Sequence, residues 1–198
     1  MLVLGLTGSI GMGKSTAAEM FRRLGIPVHD ADASVHSLFQ AGGLAVAPIF
    51  QRFPDAVVDD AVDRERLGRI VFGDAAALRD LEAIVHPLVR RERDRFLDLQ
   101  RRARRRAAVL DIPLLFETGG EDICDYVFVV SAPAFLQRQR VLARPGMTAE
   151  RLSSILKKQM PDGEKRRRAD YVLQTGLGRA ATVRTIKKIL RQLGIRHA

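Results

Sequence analysis

The sequence predicts an α/β fold built on a five-stranded parallel sheet, and three observations carry that expectation. A glycine-rich stretch, Gly8-Ser9-Ile10-Gly11-Met12-Gly13-Lys14-Ser15-Thr16, follows a short apolar run, Leu2-Val3-Leu4-Gly5-Leu6, and opens a segment of helical periodicity. Further short apolar runs recur along the chain between segments of helical spacing, the pattern of strands buried on both faces and flanked by helices. A long stretch, about 33–106, contains no buried strand and reads as helical throughout, too long for a simple crossover between neighbouring strands.

The first strand, loop and helix define the chemistry. After the loop, Ala17, Ala18, Met20, Phe21 and Leu24 recur at helical spacing, and Gly25 and Pro27 stop the helix. Strand, glycine loop and helix are the context that a G-x-x-x-x-G-K-[ST] match requires. Gly8, Gly11 and Gly13 lack a Cβ, so the loop can curl and aim successive backbone N–H groups at phosphate oxygens. The helix adds its positive dipole end. Lys14 suits the β- and γ-phosphates and the Ser15 hydroxyl suits Mg²⁺. An accidental match is expected in on the order of one chain in a hundred at this length, so the stretch is read as a nucleoside triphosphate site.

Composition bounds the rest. The 198 residues suffice for one substantial core with an inserted subdomain. A single cysteine, Cys124, excludes an intrachain disulfide and suits a reducing compartment; beside the strand starting near Tyr126 it reads as a small buried hydrophobe. No apolar run approaches the roughly 18 residues of a membrane span, and the start lacks the charged region of a signal peptide. A cytoplasmic protein with no membrane partner is expected. The net charge of +10 fits nucleic acid or small polyanions such as nucleotides. Much of it lies in Arg101-Arg102-Ala103-Arg104-Arg105-Arg106 and Lys165-Arg166-Arg167-Arg168, neither interleaved with the aromatic residues that stack on single strands. The first run suits a solvated helix end; the second stands where a nucleotide lid could use it. No nucleic-acid partner is expected. The chain contains no Asn, so the guanine-reading N-K-x-D motif is absent.

In chain order, residues 26–30 read as a second strand ending in Asp30-Ala31-Asp32, at the carboxyl end where open α/β sheets place ligands. An Asp there fits two roles, a base or metal ligand and an N-cap for the next helix, and Asp30 is the better cap. Within the long helical stretch Val85-His86-Pro87-Leu88 predicts an interruption before a further helix, because the residue before proline avoids the α region. This segment suits an acceptor substrate; His86 fits either contact with it or a structural place. Ala107-Ala108-Val109-Leu110-Asp111 returns to a buried strand whose terminal acid suits the Mg²⁺ hydration shell. Tyr126 to Val130 makes a fourth strand. Pro133 opens a helix with Gln137, Arg138, Arg140 and Arg144, the last two placed on one face by their spacing of four, and Pro145-Gly146 halts it. Thr148 caps a helix running to about Gln159. Arginines on one side of a Pro-Gly hinge suggest a lid over phosphates, which they meet bidentately; a solvated arginine face is the alternative. Tyr171 to Leu173 makes a fifth strand, and Val183, Ile186, Ile189, Leu190 and Leu193 place a closing amphipathic helix on the sheet.

Taken together these segments resemble the dephospho-CoA kinase family over nearly the whole chain. The likeness is carried by Leu6-Thr7-Gly8-Ser9-Ile10-Gly11 with Gly13-Lys14-Ser15-Thr16, by Asp30-Ala31-Asp32 with His36, and by Val62-Asp63-Arg64 with Leu67 and Phe72. Val85-His86-Pro87-Leu88, Asp111-Ile112-Pro113-Leu114-Leu115-Phe116-Glu117, and Arg140 with Arg144 and Gln159 complete it. The resemblance implies a P-loop kinase-like three-layer αβα fold. Its parts would be a nucleotide core (about 1–32, 107–133 and 169–198), a helical CoA domain (about 33–106) and a lid (about 134–168). It implies ATP and dephospho-CoA as substrates, transfer of phosphate to the ribose 3′-hydroxyl, and Mg²⁺ as cofactor. Asp32 would orient or deprotonate that hydroxyl, Lys14 and Arg140 would neutralise the transferring group, and Ser15 and Asp111 would serve Mg²⁺, Asp111 through water. Gly11, Met12, Gly13, Lys14, Ser15, Thr16 and Arg144 would bind ATP, and His86 would lie with the acceptor. Met12 stands where the family usually has a small residue, and its backbone N–H is still expected to face phosphate. Gln174-Thr175-Gly176 replaces an Asn-containing turn, so no adenine contact is assigned there.

Overall fold

The computed structural model describes residues 1–195. Two compact units divide the chain: one takes Met1–His29 and the chain from Gln100 onward, the other Asp30–Leu99.

The five expected strands form one parallel sheet. They are β1 (Leu2–Thr7), β2 (Val28–Asp30), β5 (Ala107–Asp111), β6 (Tyr126–Ser131) and β7 (Tyr171–Gln174), in the order β2-β5-β1-β6-β7. The central strand is thus the one that feeds the glycine loop. Its register sets Leu6 beside Asp111 on one side and Phe128 on the other. Side chains alternate across the sheet with period two. Leu4, Leu6, Phe128 and Val130 share one cluster with Ala17, Ala18 and Phe21 of α1 (Lys14–Arg23) and with Ile186, Ile189 and Leu190 of α9 (Arg179–Gln192). Val127 and Val129 point to the opposite cluster, under Leu115 and Phe116. Both faces are therefore covered, which is why each strand reads as a nearly unbroken apolar run. The remaining helices of this unit are α6 (Ala134–Leu142), α7 (Ala149–Lys158) and α8 (Asp162–Arg168).

The second unit holds α2 (Ala31–Phe39), α3 (Val46–Arg52) and α4 (Arg64–Val71), with most of α5 (Ala75–Arg102). Leu38, Phe39, Val46, Ile49, Phe53, Leu67, Ala77 and Val85 are buried together in its own core. Asp63 caps α4, accepting from the Glu65 and Arg66 amides at 2.9 and 3.0 Å. The hydrogen bond from the Arg66 amide is the main cause that holds its carboxyl below the usual range. Asp74 does the same for α5 through Ala77 and Ala76.

Two expectations of detail are corrected. Pro87 does not interrupt the helix: α5 is continuous through it. A proline inside a helix removes one hydrogen bond and costs about 3 kcal/mol, but Leu81, Ile84, Val85, Leu88 and Val89, on both sides of it, all pack into the unit's core. The unit also contains a hairpin that the sequence reading lacks, β3 (Val57–Val58) with antiparallel β4 (Ala61–Val62). Its two turn residues, Asp59 and Asp60, both have positive φ (49° and 59°), as a tight two-residue hairpin requires. The basic run from Lys165, left open by the sequence, lies in α8.

Candidate active site

The phosphate loop leaves β1 and enters α1 through Gly13, which caps the helix at φ 93°. That left-handed conformation favours glycine, and a Cβ there would press within 3.2–3.3 Å of Thr175. Gly11, at φ 75°, is equally constrained: its Cβ would lie 2.5 Å from Val141 Cγ2 and 3.1 Å from the Gln137 carbonyl. The loop is hemmed in from outside, and only glycines fit the turn.

Side chains from α6, from the end of α7 and from the turn after β7 grip this loop. Gln137 Nε2 donates to the Ile10 carbonyl at 2.8 Å, and the Ile10 N–H donates to Gln159 Oε1 at 3.1 Å. The Thr175 hydroxyl donates to the Met12 carbonyl at 2.6 Å and lies 3.4 Å from the Ser131 carbonyl. Arg140 donates to the Gly11 carbonyl at 3.4 Å, to Thr175 Oγ1 at 3.2 Å and to the Thr175 carbonyl at 3.0 Å. Sequence reasoning missed Thr175 and Gln137; both act on backbone groups of a loop more than 120 residues away, which leaves no local signal.

Lys14 and Asp111 meet: Nζ lies 2.5 Å from Oδ1, with the carboxylate side chain 3% exposed. The register explains the meeting, because β5 pairs directly with β1 and its last residue, Asp111, stands beside Leu6. Ser15 is exposed at the second position of α1, and Thr16 is half-buried.

Two expectations are corrected here. The Met12 N–H does not face outward; it donates to the Ser9 carbonyl at 3.1 Å, closing a turn within the loop. The Met12 side chain instead goes inward, 3% exposed, and its sulfur accepts from the Ala132 N–H at 3.2 Å. Arg140 and Arg144 do not share a helical face. α6 ends at Leu142, and the Arg144 N–H bonds three residues back to Val141 as the chain turns before Pro145-Gly146, leaving Arg144 exposed.

Behind the loop lies a polar cluster built on the motif that comes after β5. Lys165 is fully buried and lies 2.8 and 3.1 Å from the two oxygens of Glu117. Glu117 Oε1 also accepts from the Met160 N–H at 2.8 Å. Burial pushes the Glu117 carboxyl up, but the hydrogen bonds from Lys165 and Met160 and the lysine charge outweigh it and hold the group below its ordinary range. The Pro113 carbonyl accepts from Lys165 Nζ at 3.4 Å and from the Thr7 hydroxyl, just ahead of the loop, at 2.9 Å. Arg168 pairs with Glu121 and lies over the Phe116 ring at 4.7 Å. Half of the basic run left open by the sequence is thus committed to packing.

In the other unit, Asp30 caps α2 by accepting from the Ala33 N–H at 3.0 Å. Asp32, in the first turn of α2, is exposed, and so is His86 on α5, next to Pro87.

The dephospho-CoA kinase family model matches residues 2–178. The chain is 69% identical over 166 residues to a dephospho-CoA kinase of Paramagnetospirillum magneticum, covering 84% of this chain and 78% of that one. It is 58% identical over 193 residues to a dephospho-CoA kinase of Mesorhizobium japonicum, covering 98% and 97%. Among solved structures it is similar to TT1252 from Thermus thermophilus, with a TM-score of 0.81 and 38% identity over 97% of both chains.

Proposed function

The chain belongs to the dephospho-CoA kinase family, and we propose that it transfers the γ-phosphoryl group of ATP to the ribose 3′-hydroxyl of dephospho-CoA, giving CoA and ADP. One observation of the structure carries the reading most directly: a phosphate loop shaped by left-handed glycines, with its lysine resting on the acid that ends the adjacent strand.

In this reading the loop amides of Gly11, Gly13, Lys14, Ser15 and Thr16 hold the triphosphate at the start of α1, where the helix dipole favours anions. Met12 takes part by shape, its side chain anchoring the loop from below. Lys14 leaves Asp111 to neutralise the transferring group, and Arg140, already against the loop at Gly11, adds a second cation. An arginine in that role is worth about 10³ to 10⁵ in rate. Arg144, exposed beyond α6, is assigned to the phosphates of ATP. Asp32 accepts the proton of the 3′-hydroxyl; the oxygen bonds to the γ-phosphorus as the bond to the β–γ bridging oxygen breaks, releasing ADP. His86 is assigned to the acceptor.

The donors at the loop fit Mg²⁺. The Ser15 hydroxyl and the Asp111 carboxylate are hard oxygen ligands, and Asp111 already holds a cation, the Lys14 ammonium. Ser15 would hold the ion and Asp111 its water shell; when bound, the ion supplies charge neutralisation on the phosphates.

The test is direct. Protein incubated with Mg·ATP and dephospho-CoA should form ADP and CoA in equal amounts, dependent on the acceptor. ADP formed without CoA would replace this reading with an ATPase or a kinase for another acceptor.

A further inference from the structure

Ile10 is held at both of its backbone groups by side chains of α6 and of the end of α7, its carbonyl by Gln137 and its N–H by Gln159. Gln137 sits within α6, where the helix itself fixes its direction, and it is buried. Gln159 lies past the last helical residue of α7 and is tied to that helix by one backbone bond, from its N–H to the Leu156 carbonyl at 3.3 Å. Its conformation is extended, so the chain leaves the helix there, and the next residue along that exit is Met160. The Met160 N–H is bound by Glu117, whose other partner is the fully buried Lys165 of α8.

A fully buried ammonium paired with a carboxylate that also accepts from a backbone amide makes an expensive arrangement where an apolar pair would serve stability as well or better. The Glu117 carboxylate has one partner that an apolar pair could not satisfy, the backbone N–H of Met160. Lys165 also reaches the Pro113 carbonyl, which is bound by the Thr7 hydroxyl one residue before Gly8. The cluster therefore touches the loop from two directions, through Thr7 at its entrance and through Gln159 at its crown.

We infer that Glu117 and Lys165 are positioning residues for nucleotide binding: they fix the joint between α7 and α8 so that Gln159 holds the Ile10 amide and keeps the phosphate loop in its binding shape. This rests on the loop being the ATP site, as proposed above. No atom of Glu117 or Lys165 need touch the nucleotide. A pre-shaped loop binds phosphate without first being ordered, so the effect falls on ATP and leaves the acceptor alone.

The experiment compares wild-type protein with Gln159→Ala and with the double variant Glu117→Leu/Lys165→Met, measuring thermal midpoint, kcat, and KM for ATP and for dephospho-CoA. Removing one neutral hydrogen bond changes an equilibrium by about three- to tenfold. Gln159→Ala should raise the KM for ATP by about that factor, with the KM for dephospho-CoA and the thermal midpoint little changed. The double variant, apolar on both sides, should keep its thermal midpoint yet show the same raised KM for ATP, and adding Gln159→Ala to it should raise that KM no further. An unchanged KM for ATP in Gln159→Ala overturns the inference, as does an additive rise in the triple variant. If the double variant does not fold, Lys165→Met alone takes its place in the same comparison, with the same expected rise in KM for ATP and the same overturning outcomes. A wild-type protein that forms no CoA overturns the function instead, and nucleotide titration of the same variants still reads the positioning effect.

Discussion

The Lys14 ammonium rests 2.5 Å from Asp111 Oδ1, a carboxylate that is almost fully buried at the end of the strand next to β1. The phosphate loop thus keeps its cation beside the acid assigned to the metal's water shell. Charge arriving on the loop would draw Lys14 away from Asp111, leaving the Asp111 carboxylate for the water shell of an ion held at Ser15. Lys14→Met should lower kcat at least about 100-fold and weaken ATP binding, since it removes a preorganised charge from the transferring group. It should also lower the thermal midpoint, because a nearly buried carboxylate loses its cation. Steady-state kinetics and calorimetry of the same preparation check both.

Asp32 stands exposed in the first turn of α2, while Asp30 is spent on capping that helix. Asp32→Asn should reduce phosphoryl transfer by about 10² to 10⁴ and leave ATP binding and the thermal midpoint near wild type. Asp30→Asn keeps a good capping residue and should change both little. Wild-type turnover in Asp32→Asn would remove it as the base.

Thr175 ties the Met12 carbonyl and accepts from Arg140, so it links the turn after β7 to the loop. Thr175→Val keeps the shape but strands the Met12 carbonyl, and should cost about 1 kcal/mol of stability together with a raised KM for ATP. Arg140→Ala should depress kcat more than it weakens dephospho-CoA binding. Loss of stability without a change in turnover would confine Arg140 to holding the loop.

Glu117 titrates below its ordinary range in the folded protein because Lys165 and the Met160 amide favour the charged form over the opposing effect of burial. The unfolded chain therefore binds more protons between the two values, and stability rises with pH there. The contribution is complete above the ordinary value of 4.5 and is lost as pH falls through the lower folded value. Thermal midpoints measured from pH 7 down to pH 3 should fall more steeply for wild type than for Glu117→Leu/Lys165→Met.

The strands and the loop are legible because their signals are local. An unbroken apolar run ahead of Gly8 states both its burial and its place in the middle of a sheet. Pro87 misleads for the opposite reason: a local rule that favours a break loses to the packing of Val85 and Leu88 on either side. Lys165 looks like one of four surface cations, and its burial depends on Glu117, 48 residues earlier. The Asp59-Asp60 turn lacks the glycine that usually marks a two-residue hairpin. Arg144 is misplaced when helix spacing is extended past Leu142, where the chain already turns toward Pro145.

The strand order also governs how the molecule can be made. β1 leaves the ribosome well before its neighbours β5 and β6, which begin at Ala107 and Tyr126. At about 5 to 20 residues per second, Leu2–Thr7 waits roughly 5 to 20 s for the first of them. During that interval it is a short apolar strand with both edges open, the kind of segment that recruits another chain. The residues synthesised meanwhile include Asp30–Leu99, a compact unit with its own core and mostly helical elements, the kind of local structure that forms sooner than a non-local parallel pairing. Nascent chains arrested before Ala107 should therefore hold a folded helical unit and an unpaired β1, and should be more prone to aggregate on release than chains arrested after Ser131.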